Sequence, residues 1–246
     1  MLSRILLFSL FLSFFLEARD NDYSLNSSFV TLAGARFNLL NNGDSPDRYI
    51  WLHGDEQTAK IALEDHVEEY GGIAFFVQSS TREVPFKSTI IDLNRIFSRE
   101  GAYHALKKFQ PYWKPHTLDR ALDELDEERD SFLNVLMPSE SGILIAVHNN
   151  FRGYNINIEK SRSQRVSIKD NQNPRDFIIC TNKDDYEIIA SGPYNVVLQN
   201  QPPENDDGSL SWEAIRRNVR YLNIETRLGQ LSIQRAMLDY VAKNLD

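Results

Sequence analysis

Short apolar runs that lack strict alternation constrain this chain more than any other feature. Arg48–Leu52, Ile73–Gln78, Ser88–Asp92, Ile143–His148, Asp176–Thr181, Tyr194–Leu198 and Arg220–Thr226 are rich in β-branched and aromatic residues. Runs of this length and kind suit strands covered on both faces. Phe29–Leu40 predicts an added edge hairpin. Helical patterns lie between the runs. Glu56–Tyr70 repeats Ala59, Leu63 and Val67 and stops at Gly71-Gly72. Thr117–Met137 carries Leu118, Ala121, Leu122, Leu125, Phe132 and Leu136, and its acidic stretch from Asp119 to Asp130 reads as a solvated face. Ser209–Asn218 is a shorter helix, and Gln230–Leu245 carries Ile233, Met237, Tyr240 and Val241. Asn41–Asp47, Ser161–Pro174 and Asn200–Gly208 read as loops. Strands alternating with helices predict an α/β fold, in which a single domain holds a mixed, largely parallel β-sheet sandwiched by helices.

Charge and cysteine usage narrow the chemistry. Lys+Arg is 27 against Asp+Glu 35, a net charge of -8 over 246 residues. An acidic chain with no basic run is a poor nucleic-acid binder and a poor ligand for anionic membranes. Cys180 is the single cysteine, so no intrachain disulfide forms. Zinc sites of four cysteines, or of two cysteines and two histidines, are excluded too. Any metal site must draw on His, Asp and Glu.

The start of the chain differs in kind from the rest. Arg4 precedes the apolar stretch Ile5–Leu16, and Ala18 follows it. That pattern predicts a signal peptide over residues 1–18 and a mature domain over 19–246, secreted or periplasmic, with no stable membrane anchor after cleavage.

Four polar clusters stand at the C-terminal ends of predicted strands: His53-Gly54-Asp55-Glu56, Asp92-Leu93-Asn94-Arg95, His148-Asn149-Asn150 and Glu225. Open α/β sheets bind ligands outside those ends, so the four can converge. His53 and Glu56 lie where strand gives way to helix and both reach one ion, with Gly54 expected to allow a tight bend between them. His148 supplies a third ligand from a neighbouring strand. Two His and one Glu make the open ligand set of one catalytic Zn2+, which lowers a water's pKa and polarises a carbonyl. Glu225 could take the water's proton and pass it to a leaving nitrogen. Asp92 is the expected partner of the other His53 nitrogen. Asn94 and Arg95 suit the anionic end of a substrate.

These residues, in this order, resemble the zinc carboxypeptidase superfamily, closest to its aspartoacylase and succinylglutamate desuccinylase branch. Asp92-Leu93-Asn94-Arg95-Ile96-Phe97 and Ile224-Glu225 add to His53-Gly54-Asp55-Glu56 and His148-Asn149, and the likeness covers roughly residues 48 to 230. It implies that His53, Glu56 and His148 bind zinc, that Asn94 and Arg95 hold the substrate carboxylate, and that Glu225 is general base and acid. In that branch a cation before the Asp-Leu-Asn-Arg motif polarises the scissile carbonyl. Lys87 or Arg82 could serve. The branch also carries a C-terminal β-domain, whereas one helical segment follows Glu225 here, which implies a more open site. The family's active-site tyrosine has only Tyr194 and Tyr221 as weak candidates.

The remaining features read more plainly. His66, His104 and His116 are expected not to bind metal, and Cys180 reads as a buried small hydrophobe. Asp206-Asp207-Gly208-Ser209 reads as a turn and helix cap with Ser209 at the N-cap, and secondarily as the mouth of the site. Asn149, Asn150 and Tyr154 are candidate substrate contacts. No phosphate loop, dinucleotide fingerprint or nucleophile elbow is present. The expected activity is carboxypeptidase-type hydrolysis of a peptide or peptide-like substrate. The alternatives are deacylation of an N-acyl amino acid and a non-catalytic binding protein on the same fold. Oligomeric state stays open.

Overall fold

A computed structural model describes residues 29–151 and 153–245. The predicted signal peptide, residues 1–18, lies outside the described residues. The elements run β1 (Phe29–Leu32), β2 (Ala35–Asn42), β3 (Arg48–Trp51), α1 (Gln57–Tyr70), β4 (Gly72–Val77), β5 (Glu83–Phe86) and β6 (Thr89–Asp92). Then come α2 (Arg99–Phe109), α3 (Pro115–Leu136), β7 (Leu144–Asn150), α4 (Ile156–Glu159), β8 (Arg165–Ser167) and β9 (Phe177–Cys180). The last are α5 (Lys183–Ser191), β10 (Asn195–Leu198), α6 (Leu210–Arg216), β11 (Tyr221–Arg227) and α7 (Leu231–Asn244). No helix among the described residues is long and apolar enough to cross a membrane.

Among the described residues, nine strands form one mixed sheet in the order β1-β2-β4-β3-β7-β11-β9-β10-β8. The centre, β4-β3-β7-β11, is parallel throughout. β9 returns antiparallel to β11, and β1, β2 and β8 pair antiparallel at the two flanks. Every residue of β4, β7, β9 and β10 is buried. Both faces of the sheet are therefore covered, which is why these runs do not alternate. Parallel central strands also aim their C-terminal ends the same way, which sets up a common rim for polar residues.

Local sequence explains the helices. Pro115 sits in the first turn of α3, where its missing N–H costs nothing, so α3 begins two residues before the expected Thr117. Phe132 of α3 packs on Phe37 of β2 with ring centroids 4.9 Å apart. α1 buries Ala59, Leu63 and Val67, the periodic residues of its pattern.

Three expectations about the fold need correction. Ser88–Asp92 is not a strand of the main sheet. It pairs with β5 in a separate two-stranded hairpin that turns at Lys87, whose φ is 53°. The polar segment Ser161–Pro174 contains β8, an edge strand of three residues too short and exposed to show in an apolar pattern. β2 also runs on to Asn42, into the segment read as a loop.

His66 is a core residue. It is 4% exposed, it lies between Tyr49 and Tyr70 with centroids 5.2 and 4.8 Å away, and neither ring nitrogen has a hydrogen-bond partner among the described residues. Burial pushes its pKa down to about 4, against a smaller opposing pull from Asp239. The unfolded chain, with the ordinary value of 6.5, therefore binds a proton that the folded chain refuses. This contribution to stability is complete above pH 6.5 and is lost as pH falls towards 4. The loss amounts to about 3 kcal/mol in all. His66→Phe should flatten that part of a urea-unfolding profile measured across the window. A variant with the wild-type slope would contradict the assignment.

Candidate metal centre

His53 and Glu56 occupy the connection from β3 into α1, which several hydrogen bonds hold in shape. The Trp51 indole Nε1 donates to the Glu56 carbonyl at 2.9 Å, and Glu56 N donates to the His53 carbonyl at 3.1 Å. Glu56 is the residue that opens α1, but its carboxylate caps nothing there and faces the site. The chain does turn tightly across Gly54 and Asp55, but the φ of Gly54 is not positive, so the turn by itself does not demand glycine. The reason is close approach. A Cβ at Gly54 would sit 2.2 Å from the Ser79 carbonyl oxygen and 2.4 Å from its carbon. Gly54→Ala must therefore push backbone aside. The expected cost is about 1–3 kcal/mol, together with weaker metal binding, because His53 and Glu56 flank the displaced segment. Urea midpoints and metal titration read both, and a variant unchanged in either would contradict this explanation.

The third ligand comes from register. β7 pairs with β11 so that His148 stands directly beside Glu225, and paired residues of parallel strands point to the same face. His53, Glu56 and His148 are all buried, and their ligand atoms lie within 4.8 Å of one another. His53 Nδ1 lies 2.8 Å from Glu56 Oε1, and His148 Nδ1 lies 3.0 Å from Glu56 Oε2. Two ligands on one tetrahedral zinc are separated by about 3.4 Å, so a small relaxation accommodates an ion. The far nitrogen of His53, Nε2, meets Asp92 Oδ1 at 2.8 Å, the carboxylate support that a metal-ligating His normally has.

The electrostatics fit a cation. Burial opposes charge on His53, but Glu56 and Asp92 outweigh it and hold the imidazole pKa up at about 9. Burial would raise the Glu56 carboxyl, yet His148 and His53 pull it well below the usual carboxylate range. Asp92 is likewise held low against its burial by His53, Arg82 and Arg95. Two carboxylates and two imidazoles directed at one another invite positive charge, which a divalent ion supplies in a single position.

Around this cluster opens a cavity of about 440 Å³. Glu225 borders it, buried, with Asn150 Nδ2 donating to one carboxylate oxygen and Asn223 Nδ2 to the other, each at 3.3 Å. Burial pushes the Glu225 carboxyl up, His148 pulls it partly back, and Glu56 pushes it further up. Arg82 also borders the cavity. Its Nη1 donates to Glu56 at 3.0 Å and its Nε to Asp92 at 3.2 Å. Asn94 and Arg95 border the same cavity. Asn94 Oδ1 accepts from Leu210 N at 2.9 Å, while Arg95 forms no ion pair among the described residues.

Other anticipated residues are placed differently. Lys87 is turned away from the cluster and pairs with Glu124 at 2.5 Å, so of the two cations Arg82 is the one at the cavity. Asn149 touches the cavity, but its amide is committed to the scaffold. It accepts from Ala59 N and donates to Thr226 Oγ1 and Gln234 Oε1. Tyr221 is buried at the start of β11 and Tyr194 packs on Tyr240, so neither reaches the cavity, whereas Tyr154 does. His104 and His116 are exposed and outside the site. Cys180 is buried, with its thiol pushed up by burial. Ser209 precedes α6 without a side-chain cap bond, and Asp207 and Ser209 border the cavity mouth. Asn223 was missed, although it is two residues before Glu225 on one strand and therefore on the same face. Glu159 and Trp212, also at the cavity, carry no pattern that would have found them.

The chain matches no protein-family model, no curated protein and no solved structure. What the geometry itself establishes is a buried His53–Glu56–His148 cluster, in a mixed α/β domain, that can hold one metal ion.

Proposed function

We propose that the protein is an exported zinc-dependent hydrolase that cleaves an amide bond in a carboxylate-bearing peptide or peptide-like substrate. One observation carries this reading. Glu56 and His148 of the candidate metal cluster, the buried carboxylate of Glu225 and Arg95, which forms no ion pair among the described residues, border one cavity. Export rests on the sequence pattern of residues 1–18.

His53, Glu56 and His148 would hold the ion, and a bound zinc supplies Lewis acidity and a water of lowered pKa. Arg95 and Asn94 receive the substrate carboxylate, the guanidinium offering a two-pronged hydrogen bond. Their placement fixes how far into the cavity the scissile amide sits. Arg82 is anchored through Nε and Nη1, which leaves Nη2 for the scissile carbonyl. Glu225 accepts the proton of the attacking water and returns it to the leaving nitrogen. Asn150 and Asn223 keep its carboxylate aimed, and its raised pKa makes it a stronger base than an ordinary carboxylate.

A panel of peptides and N-acyl amino acids, assayed with and without chelator, tests the reading. Chelator-sensitive cleavage of peptides is expected. Cleavage of N-acyl amino acids alone would move the assignment to a deacylase of the aspartoacylase type. No cleavage by zinc-loaded protein would overturn the hydrolase and leave a binding protein.

A further inference from the structure

One stretch of this acidic chain is locally basic. No Asp or Glu lies between Gly101 and Leu118, although the whole chain has a net charge of -8. The stretch holds Lys107, Lys108, Lys114, His104 and His116, together with Tyr103, Phe109, Tyr112 and Trp113. It covers most of α2, the connection that follows and the first turn of α3.

Its aromatic residues face water. Tyr112 is 91% exposed, more than any other large hydrophobic residue described, and Tyr103 and Phe109 are exposed too. The connection is nonetheless well fixed. Pro111 and Pro115 flank the tip and restrict the backbone. The Trp113 indole Nε1 donates to the Leu106 carbonyl at 3.1 Å, and Thr117 N and Leu118 N both donate to the Lys114 carbonyl. Tyr112 is therefore presented on an ordered loop, which leaves little ordering entropy to lose on binding.

The cations here are largely uncommitted. Lys107 Nζ donates to the Tyr103 hydroxyl at 2.9 Å and Arg120 Nε to the His116 carbonyl at 3.3 Å. Neither they nor Lys114 form an ion pair among the described residues. Lys108 lies 4.0 Å from Glu83, at the limit of an ion pair. Beside Trp113 a groove of about 320 Å³ is bordered by Ser88, Thr117, Arg120 and Lys87, the last paired with Glu124.

We propose that this surface docks on an anionic lipid bilayer. Exposed tyrosine next to tryptophan, ringed by lysines, suits a membrane–water interface, with rings among the headgroups and cations on the phosphates. Net charge counts against such a membrane, but only the face that meets the lipid decides. Acids more than a Debye length of about 8 Å from the lipid are largely screened, whereas cations close to it each contribute. A second copy of the chain is a poorer occupant, because a symmetric contact would set these cations against themselves. The docking is peripheral and does not depend on the hydrolase reading.

Vesicle flotation of the full-length protein tests it, comparing pure phosphatidylcholine with an equal mixture of phosphatidylcholine and phosphatidylglycerol. Binding to the anionic vesicles is expected to be at least about tenfold stronger and to weaken as salt is raised. The triple variant Lys107→Gln, Lys108→Gln, Lys114→Gln should lose at least about tenfold of that preference. Tyr112→Ser should weaken binding to the anionic vesicles by about threefold or more. Unchanged urea midpoints would show that both variants fold. Tyr112→Trp reads the contact itself, because phosphatidylglycerol brominated on its acyl chains should quench the emission that this variant adds. Lipid binding through the apolar stretch Ile5–Leu16 would ignore lipid charge and leave that emission unquenched. Equal binding to both vesicles, a preference that survives the triple variant, or no added quenching would each overturn the proposal. Self-association that the same variants abolish, without lipid preference, would assign the surface to a second copy instead.

Discussion

Glu225→Gln is expected to lower the rate of amide hydrolysis by about 10²–10⁴-fold while leaving the metal content of the protein unchanged. The carboxylate is not part of the candidate ligand cluster. It stands beside His148 in the β7–β11 register, with Asn150 and Asn223 each bonding one of its oxygens. Glutamine fills the same volume but cannot take a proton from water at neutral pH. Its amide nitrogen also faces one asparagine donor where an oxygen stood, so a small loss of stability accompanies the change. Measuring kcat and bound zinc on the same preparation separates the two effects. A Glu225→Gln protein that keeps both zinc and activity would remove Glu225 from the reaction.

The second large effect is expected from His148→Ala. His53 is tied at both ring nitrogens, and Glu56 has three partners in His53, His148 and Arg82. His148 has the single side-chain partner Glu56, and its Nε2 has none among the described residues. Removing it therefore disturbs the scaffold least and the ion most. Loss of a group that only supports a ligand costs about 10–100-fold in metal affinity, and loss of the ligand itself should exceed that. Zinc at a hundredfold excess over its dissociation constant should stabilise the wild type by about 2.7 kcal/mol. His148→Ala should show no such gain. Melting temperatures with and without zinc read this directly, and an equal rise in both proteins would place the ion elsewhere.

The candidate metal ligands were legible because parallel strands deliver their C-terminal ends to one rim. His53-Gly54-Asp55-Glu56 and His148 were found by looking there, and so was Asp92, although its strand β6 lies in the separate hairpin rather than in the parallel sheet. Asn149 and Asn150 were both candidate contacts, yet only Asn150 bonds to Glu225, and strand alternation explains the difference. His148 and Asn150 share a face, while Asn149 points to the other and ties β7 to α1, β11 and α7. Lys87 and Arg82 could not be told apart by spacing, because the choice depends on a hairpin. Arg82 precedes β5 and reaches the cavity, while Lys87 sits in the turn and is carried away from it.

Three helices escaped notice although their caps were visible. Ser98 Oγ accepts from Gly101 N ahead of α2, Asn155 Oδ1 accepts from Asn157 N ahead of the short α4, and Asn182 Oδ1 accepts from Asp184 N and Asp185 N ahead of α5. All are ordinary N-cap signals. β8 gave no such signal, since pairing at the sheet edge rather than sequence makes it a strand. Glu159 is of the same sort, because one acidic residue means little until the fold turns it inward.

The central claim is that His53, Glu56 and His148 share one metal ion. Anomalous diffraction at the zinc edge, on crystals of protein purified without chelator and supplied with zinc, tests it most directly. A single peak is predicted within about 2.0–2.2 Å of His53 Nδ1, a Glu56 carboxylate oxygen and His148 Nδ1. No peak at that point, or a peak bound by other residues, would contradict the account.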